Sequence, residues 1–250
     1  MTTSSTQHKP RYFERVIQSG QMPSIPACRQ IPINTQGTDY VVGDIHGQYD
    51  KLMDALLAVN FDRKCDRLLT VGDLIDRGPD SLGVIELLNE PWFFSCMGNH
   101  EDLLWRNYCC NERQAHVANG GSWFASLAIQ TQAQVVSLIT STMSLSLETQ
   151  VLSNNQLKTI GLIHAAAPAT WISLSNLSID AYLTHLWDRR QYHRVIDGTT
   201  PHQYCEGIDA VIMGHVSCQR VVRSRSNLVW IDTLYRGGEL SLLPLRDIVG

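Results

Sequence analysis

The stretch Arg67-Leu68-Leu69-Thr70-Val71-Gly72-Asp73-Leu74-Ile75-Asp76-Arg77-Gly78 joins a short apolar run to a turn that begins and ends on glycine and carries two aspartates and an arginine. An apolar run bounded in this way reads as a buried strand, and the spacing of apolar residues from Leu82 to Leu88 reads as the helix after it. The same pattern stands on either side. Upstream, Asp39 to Val42 leads into Gly43-Asp44-Ile45-His46-Gly47, and Leu52, Ala55, Leu56 and Val59 follow at helical spacing. Downstream, Trp92 to Met97 leads into Gly98-Asn99-His100-Glu101 and a helix from Glu101 to Tyr108. Strand, turn and helix repeated in this order call for parallel pairing and predict an α/β layered fold.

Further out the pattern changes. Residues 1–37 are polar and contain Pro10, Pro23, Pro26 and Pro32, so they are expected to form an extension, partly disordered or packed on the core, ordered only near Tyr12 to Ile17 and free of catalytic residues. Asn119-Gly120-Gly121 breaks the chain before an interrupted helix from Trp123 to Ile139. Leu145 to Leu152 and Thr159 to His164 flank Asn154-Asn155, a pair that tolerates turn geometry, and are expected to form a hairpin. A helix from Ile179 to Trp187 and strands at Ala210–Met213, Gln219–Val222, Leu228–Ile231 and Leu240–Leu243 complete the chain. The expected architecture is a mixed β sandwich flanked by helices, in one domain from residue 38 to 250.

Composition removes several classes of function. Twenty Lys and Arg against 24 Asp and Glu give a charge of −4, which argues against a strongly basic nucleic-acid binder. With 44% hydrophobic and 18% charged residues the chain can bury a core and is not intrinsically disordered. No apolar run reaches the roughly 18 residues of a membrane span, and the start lacks an apolar segment behind a basic cap, so a cytoplasmic protein with no membrane partner is expected. The seven cysteines, an odd number, are expected to be reduced thiols. No arginine stands six residues after any of them, which excludes the Cys-x5-Arg phosphate loop; no Gly-Lys-Ser or Gly-Lys-Thr marks a nucleotide P-loop.

The chemistry is concentrated at the strand ends, where ligand sites of α/β sheets lie. Besides the three turns, two later runs end on histidine, Leu162-Ile163-His164 and Met213-Gly214-His215. Asp44 and His46 are two residues apart, so in extended backbone they point the same way and can hold one cation. Asp73 is placed to bridge to a second, for which Asn99, His164 and His215 supply neutral ligands. Two divalent ions about 3.5–4 Å apart can share a hydroxide and clamp a phosphoryl oxygen. Imidazoles, carboxylates and an amide suit divalent transition metals better than calcium or magnesium: manganese is the first to test, with iron, zinc and cobalt open.

Gly-Asp-Ile-His-Gly, Gly-Asp-Leu-Ile-Asp-Arg-Gly and Gly-Asn-His-Glu, in this order, resemble the three signatures of the phosphoprotein phosphatase family of calcineurin-like metallophosphoesterases, and most of all its compact bacterial and bacteriophage-lambda-type serine/threonine phosphatases. The resemblance continues through Asn119-Gly120-Gly121-Ser122-Trp123-Phe124, Ile163-His164-Ala165, Leu186-Trp187-Asp188-Arg189, Gly214-His215 and Trp230-Ile231-Asp232-Thr233. It implies Asp44, His46 and Asp73 at the first metal and Asp73, Asn99, His164 and His215 at the second, in agreement with the grouping by spacing. It also implies His100 as the acid that protonates the leaving alkoxide, Asp76 as the carboxylate that orients it, and Arg77 and Arg189, with Asn99, as phosphate contacts. The reaction implied is direct in-line attack of a metal-bridging hydroxide on a phosphomonoester of serine or threonine in proteins or peptides, with phosphotyrosine a possible further substrate.

The alternative within the fold is hydrolysis of dinucleoside polyphosphates. Such relatives lack the acid-and-arginine pair of the second block and carry Asp after Gly-Asn-His, where this chain has Asp76-Arg77 and Glu101. Three departures from the family stand out: Val216 after Gly214-His215, Leu234-Tyr235-Arg236 after Asp232-Thr233, and Ala165-Ala166, a less polar pair expected to weaken support for His164. Arg190 is an alternative to Arg189 as the phosphate contact. His116, His185, His193 and His202 match no motif and are expected to be surface or packing residues.

Overall fold

The computed structural model describes residues 9–175, 177–200 and 202–249, so the first eight residues of the expected extension lie outside the described residues. The three predicted units are present as β2 (Asp39–Val42) and α2 (Tyr49–Ala58), β3 (Arg67–Thr70) and α3 (Ser81–Glu86), and β4 (Phe93–Ser95) and α4 (Asn99–Cys110). Strands β2, β3 and β4 pair in parallel. An antiparallel edge strand, β10 (Leu242–Pro244), closes this sheet beside β2, an edge where the missing N–H of Pro244 is tolerated.

The second sheet has six strands in the order β1-β5-β6-β7-β9-β8. Its hairpin, β5 (Ser146–Ser153) and β6 (Gln156–Ile163), turns at Asn154 and Asn155, both at positive φ. Then come β7 (Ala210–Met213) and β9 (Leu228–Trp230), parallel to β6 and to each other, with β8 (Val222–Arg223) antiparallel at the edge. The outer strand β1 (Cys28–Gln30) had no sequence signal: a polar three-residue segment becomes a strand because β5 offers it a free edge.

Alternation along the strands builds the layers. Val41 and Leu69 point between the sheets, where Val151, Ile160, Ile212 and Val229 meet them. Val42 and Leu68 point the other way, under Leu52 and Leu56 of α2 and Leu104 of α4. Each such fully buried side chain stabilises the fold by about 1.5–3 kcal/mol relative to exposure. The far face of the six-stranded sheet carries Ile163, Val211, Met213 and Trp230 under α7 (Ile179–Trp187), α8 (Arg190–Ile196) and α1 (Lys9–Ser19), with Val16 of α1 fully buried. Helices therefore cover both outer faces of the sandwich, as predicted.

Local departures have local causes. The interrupted helix expected over Trp123 to Ile139 is a 3-10 turn, Gly121–Ser126, followed by α6 (Ile129–Thr142), and α5 (Arg113–Ala118) precedes it unannounced. Gln219 to Val221 is not strand: the segment is drawn toward the sandwich end by Cys218 N–H, which donates to Asp232 O at 2.7 Å. Among the described residues no helix is long and apolar enough to cross a membrane.

Candidate metal centre

The ends of β2, β3, β6 and β7 and the start of α4 meet at one edge of the sandwich and bring all the predicted donors together. Five non-glycine residues at these turns hold left-handed backbone: His46 (φ 46°), Asp73 (51°), Asp76 (72°), Arg77 (68°) and His215 (64°). Each costs about 1–3 kcal/mol, and such strain persists only where the surroundings impose it. Gly98 is required for a different reason: a Cβ there would run into the Asp73 carboxylate and backbone nitrogen. Glu101, fully buried, locks these turns to each other. Its Oε2 accepts from Asp73 N (3.0 Å) and Gly98 N (2.8 Å), and its Oε1 accepts from Leu74 N (2.8 Å). Burial, with the charge of Asp73, pushes the Glu101 carboxyl up to about 7, against the pull of these N–H groups. Glu101→Gln keeps the volume but offers one acceptor oxygen, stranding at least one buried N–H, and is expected to lower unfolding stability by about 1–3 kcal/mol. Urea denaturation of the purified variant measures this; an unchanged midpoint would contradict the clamp.

Asp73, buried like its partners, spans two donor groups. Its Oδ1 lies 3.4 Å from His164 Nε2, and its Oδ2 lies 3.7 Å from His46 Nε2 and 3.8 Å from His100 Nε2. The donor atoms of His46, Asp73 and His100, and those of Asp73, His164 and His215, fall within 4.8 Å of one another in each set. Asp44 stands beside the first set, its Oδ2 4.0 Å from His46 Nε2, and both its oxygens accept from His215 N.

Backbone carbonyls fix the tautomers. His46 Nδ1–H donates to Ile75 O (3.0 Å) and His164 Nδ1–H to Val71 O (2.8 Å), while His215 Nε2 lies between Trp187 O (3.2 Å) and Arg189 Nε (3.3 Å) with its Nδ1 turned to His164. The opposite ring nitrogens turn inward, His46 Nε2 toward the Arg77 guanidinium and His164 Nε2 toward Asn99 and His215. His164 Nε2 is 2.9 Å from Asn99 Oδ1 and 3.2 Å from His215 Nδ1. Acceptors crowded to this distance repel unless a cation lies among them, and about 3 Å is the spacing of neighbouring ligands around an ion with bonds of about 2.1 Å. The residues therefore fit divalent ions. Val71 O, and not residues 165 and 166, orients His164, so Ala165-Ala166 does not weaken its support.

Electrostatics separates the histidines by task. Burial lowers His46 to about 3 and also lowers His164 and His215, leaving them neutral as metal ligands must be. His100 goes the other way: burial alone would lower it, but the charge of Asp73 and the bond to Asp76 outweigh burial and raise it. Four surrounding imidazoles hold Asp73 well below the usual carboxylate range in spite of burial. Opposed shifts in one cluster mark an acid among ligands.

His100 Nδ1 meets Asp76 Oδ2 at 2.7 Å, and its Nε2 accepts from Arg77 Nη2 at 2.8 Å. The other arm of the same guanidinium, Nη1, donates to His46 Nε2 at 2.8 Å. Arg189 Nε stands 3.3 Å from His215 Nε2, whereas Arg190 turns outward to Asp188 (2.9 Å), so Arg189 is the arginine at the centre.

Two residues of this network had no assigned role in the sequence reading. His116, expected to be a surface or packing residue, is fully buried and its Nε2–H donates to Asp76 Oδ1 at 3.1 Å. Trp123 Nε1–H donates to the same oxygen at 2.7 Å. The Asn119-Gly120-Gly121 break is what makes this possible: Gly120, at φ 102°, packs on the Arg77 backbone, and a Cβ on Gly121 would enter the His116 ring. Tyr235 covers the rim, its ring 5.7 Å from the Arg77 guanidinium carbon and 5.5 Å from the His46 ring.

Residues 40–219, which carry every one of these donors, match the model of the calcineurin-like phosphoesterase family. The chain belongs to that family. The calcineurin-like phosphoesterases are hydrolases that use a dinuclear divalent metal site, and the His and Asp groups here are placed to bind such ions. Among its relatives is "Serine/threonine-protein phosphatase 2" of Escherichia coli (strain K12), 33% identical over 225 residues, which are 89% of this chain and the whole of the relative. A shorter match, 44% identical over 64 residues (25% of this chain, 23% of the relative), is to "Bis(5'-nucleosyl)-tetraphosphatase, symmetrical" of Dechloromonas aromatica (strain RCB). A solved structure described as a putative diadenosine tetraphosphatase aligns with a TM-score of 0.56 at 21% identity, covering 87% of this chain and 97% of its own, a likeness of fold alone. As a calcineurin-like phosphoesterase the protein is a phosphatase; its substrate is a separate question.

Proposed function

We propose that the chain is a cytoplasmic serine/threonine protein phosphatase, its catalytic domain running from residue 38 to 250 and preceded by an extension, which hydrolyses phosphomonoesters in proteins or peptides, with phosphotyrosine as a further substrate. The observation that carries this reading is His100 bonded to Asp76 (2.7 Å) with Asp73 Oδ2 3.8 Å from its Nε2, the two carboxylates that raise it. A serine or threonine alkoxide is a poor leaving group that needs a proton as the P–O bond breaks. A nucleotide phosphate leaving from an anhydride spreads its own charge and needs that proton far less. A buried imidazole whose acid form two carboxylates favour, and whose Nε2 opens to a proton when Arg77 turns to the phosphate, is therefore the equipment of an ester hydrolase. The full-length likeness to a relative named as a serine/threonine phosphatase supports the same reading.

Asp44, His46 and Asp73 would hold one ion and Asp73, Asn99, His164 and His215 the other; manganese is proposed for both. Bound there, the ions supply Lewis acidity that activates water and takes up phosphoryl charge. The chain's own residues do the rest. Arg77 and Arg189 grip the equatorial phosphate oxygens, together with Asn99. Once the Arg77 fork turns to the phosphate, His100 Nε2 is released to carry a proton toward the leaving oxygen, while Asp76 holds Nδ1. His116 and Trp123 in turn hold Asp76 ionised and fixed. Asp76→Asn is expected to lower kcat on a phosphoserine peptide about 100-fold with little change in KM; steady-state kinetics at saturating manganese decides, and a loss confined to KM would count against the orienting role.

The substrate test strips the purified protein of metal, returns manganese, and compares phosphate release from phosphoserine, phosphothreonine and phosphotyrosine peptides with cleavage of a dinucleoside tetraphosphate. Faster release from the peptides is expected. Preferential nucleotide cleavage would establish the alternative that the Dechloromonas relative's name suggests.

A further inference from the structure

We propose that Asp232 belongs to the metal centre, its carboxylate serving the ion held by Asp44, His46 and Asp73. The inference rests on the metal-site reading above and extends it to a residue that the spacing argument and the family signatures leave without a role.

Its position follows from sheet register. Met213 of β7 faces Trp230 of β9, and Ile231 N donates to Met213 O at 2.8 Å, so Gly214-His215 and Ile231-Asp232 leave the sheet side by side. Across the sandwich, Gly43 packs on the same residues: a Cβ on Gly43 would lie 2.5 Å from Ile231 O and 3.2 Å from the Asp232 Cα. Asp232 is thereby wedged between Gly43-Asp44 and Gly214-His215, at a further strand end converging on the donors.

The carboxylate has no adequate partner there. Asp232 is 3% exposed, and among the described residues its Oδ1 has no hydrogen-bond partner and the group forms no ion pair. Leu234 N–H donates to the carboxylate, and Arg77 and Arg189 act on it only at longer range. A buried, incompletely bonded carboxylate is destabilising unless a positive charge offsets it. Its neighbours make matters worse: burial, then the charge of Asp73, push Asp232 up to about 6, and after burial the charge of Asp232 is the largest influence raising Asp44. Asp232 thus adds a third buried carboxylate beside Asp44 and Asp73, which themselves lie 4.0 and 3.7 Å from His46, and a cluster of buried negative groups of this kind is a site for a cation. With Asp232 included, this side of the centre has three carboxylates and one imidazole, while the other has two imidazoles, His164 and His215, beside the oxygens of Asn99 and Asp73. The carboxylate-rich side favours a harder ion such as manganese(II).

The test is manganese titration calorimetry on the full chain stripped of metal, for wild type, Asp232→Asn and Asp232→Glu, with thermal melting of each protein before and after manganese. In Asp232→Asn one of the two manganese sites is expected to weaken about 10- to 100-fold while the other stays unchanged, and Asp232→Glu, which keeps the charge, is expected to recover part of the loss. The stripped Asp232→Asn protein is expected to melt at or above the wild-type temperature, because one of three mutually repelling carboxylates is gone, and to gain less from manganese. A residue that only supports the fold would instead lower the melting temperature in both states and leave the gain intact. Unchanged manganese affinities in Asp232→Asn, or that second melting pattern, would overturn the proposal while leaving the metal centre standing. A wild-type protein that takes up no manganese would overturn the metal-centre reading itself.

Discussion

Asp73→Asn is expected to lower kcat on the order of 1,000-fold, equivalent to roughly 4 kcal/mol of transition-state stabilisation, while leaving the protein folded. The folded state survives because asparagine retains an Oδ1 to accept from His100 N, the bond that wild-type Asp73 makes at 3.0 Å. What it removes is the negative charge that faces His164 with one oxygen and His46 with the other. Among the described residues no other carboxylate lies within 4 Å of both His46 and His164. The four imidazoles around it also hold Asp73 ionised, so a neutral amide changes the field at every one of them. The measurement is kcat for an aryl phosphate at saturating manganese, with a melting curve to establish folding. A folded variant with kcat within tenfold of wild type would remove Asp73 from the bridging position.

His100→Asn is expected to cost about 100- to 10,000-fold in kcat on a phosphoserine peptide, the range for loss of a positioned general acid. The loss is expected to be much smaller on an aryl phosphate, whose leaving group departs without help. The pH profile carries a second signature. His100 acts as an acid, and the charge of Asp73 with the Asp76 bond raises its folded-state value despite burial. Activity should therefore be present below that value and fall as pH rises through it, placing the alkaline limb above the ordinary histidine range, and His100→Asn should lack that limb. Equal losses on both substrates, with the limb retained, would assign the proton to another group.

Much of this was legible in the chain itself because its causes are short-range. A strand buried on both faces must be a continuous apolar run, so β2, β3 and β7 can be read almost to the residue, and the helix read from Ile179 to Trp187 is α7. Turns that force ligand residues into left-handed backbone must be flanked by glycine, so Gly43 to Gly47, Gly72 to Gly78 and Gly98 announce the centre. Ligand types at those turns then predicted the donor set that the structure gathers.

Other features have no local cause. β1 is polar and three residues long, and it is a strand because β5 lends it hydrogen bonds from over a hundred residues away. His116 and Trp123 reach Asp76 across 40 and 47 residues, through a path set by the Gly120-Gly121 break and by the packing of α4 on α5. Glu101 clamps backbone 27 and 28 residues before it, and Asp232 meets Asp44 only because β9 lies beside β7 with Gly43 packed against its end. The sequence by itself determined the strand–turn–helix units and the ligand chemistry at their ends, since backbone sterics and apolar periodicity act over a few residues. Which buried groups share a hydrogen bond or a charge was decided by the tertiary structure alone, because distances between residues far apart in the chain exist only once the sheets have paired and packed.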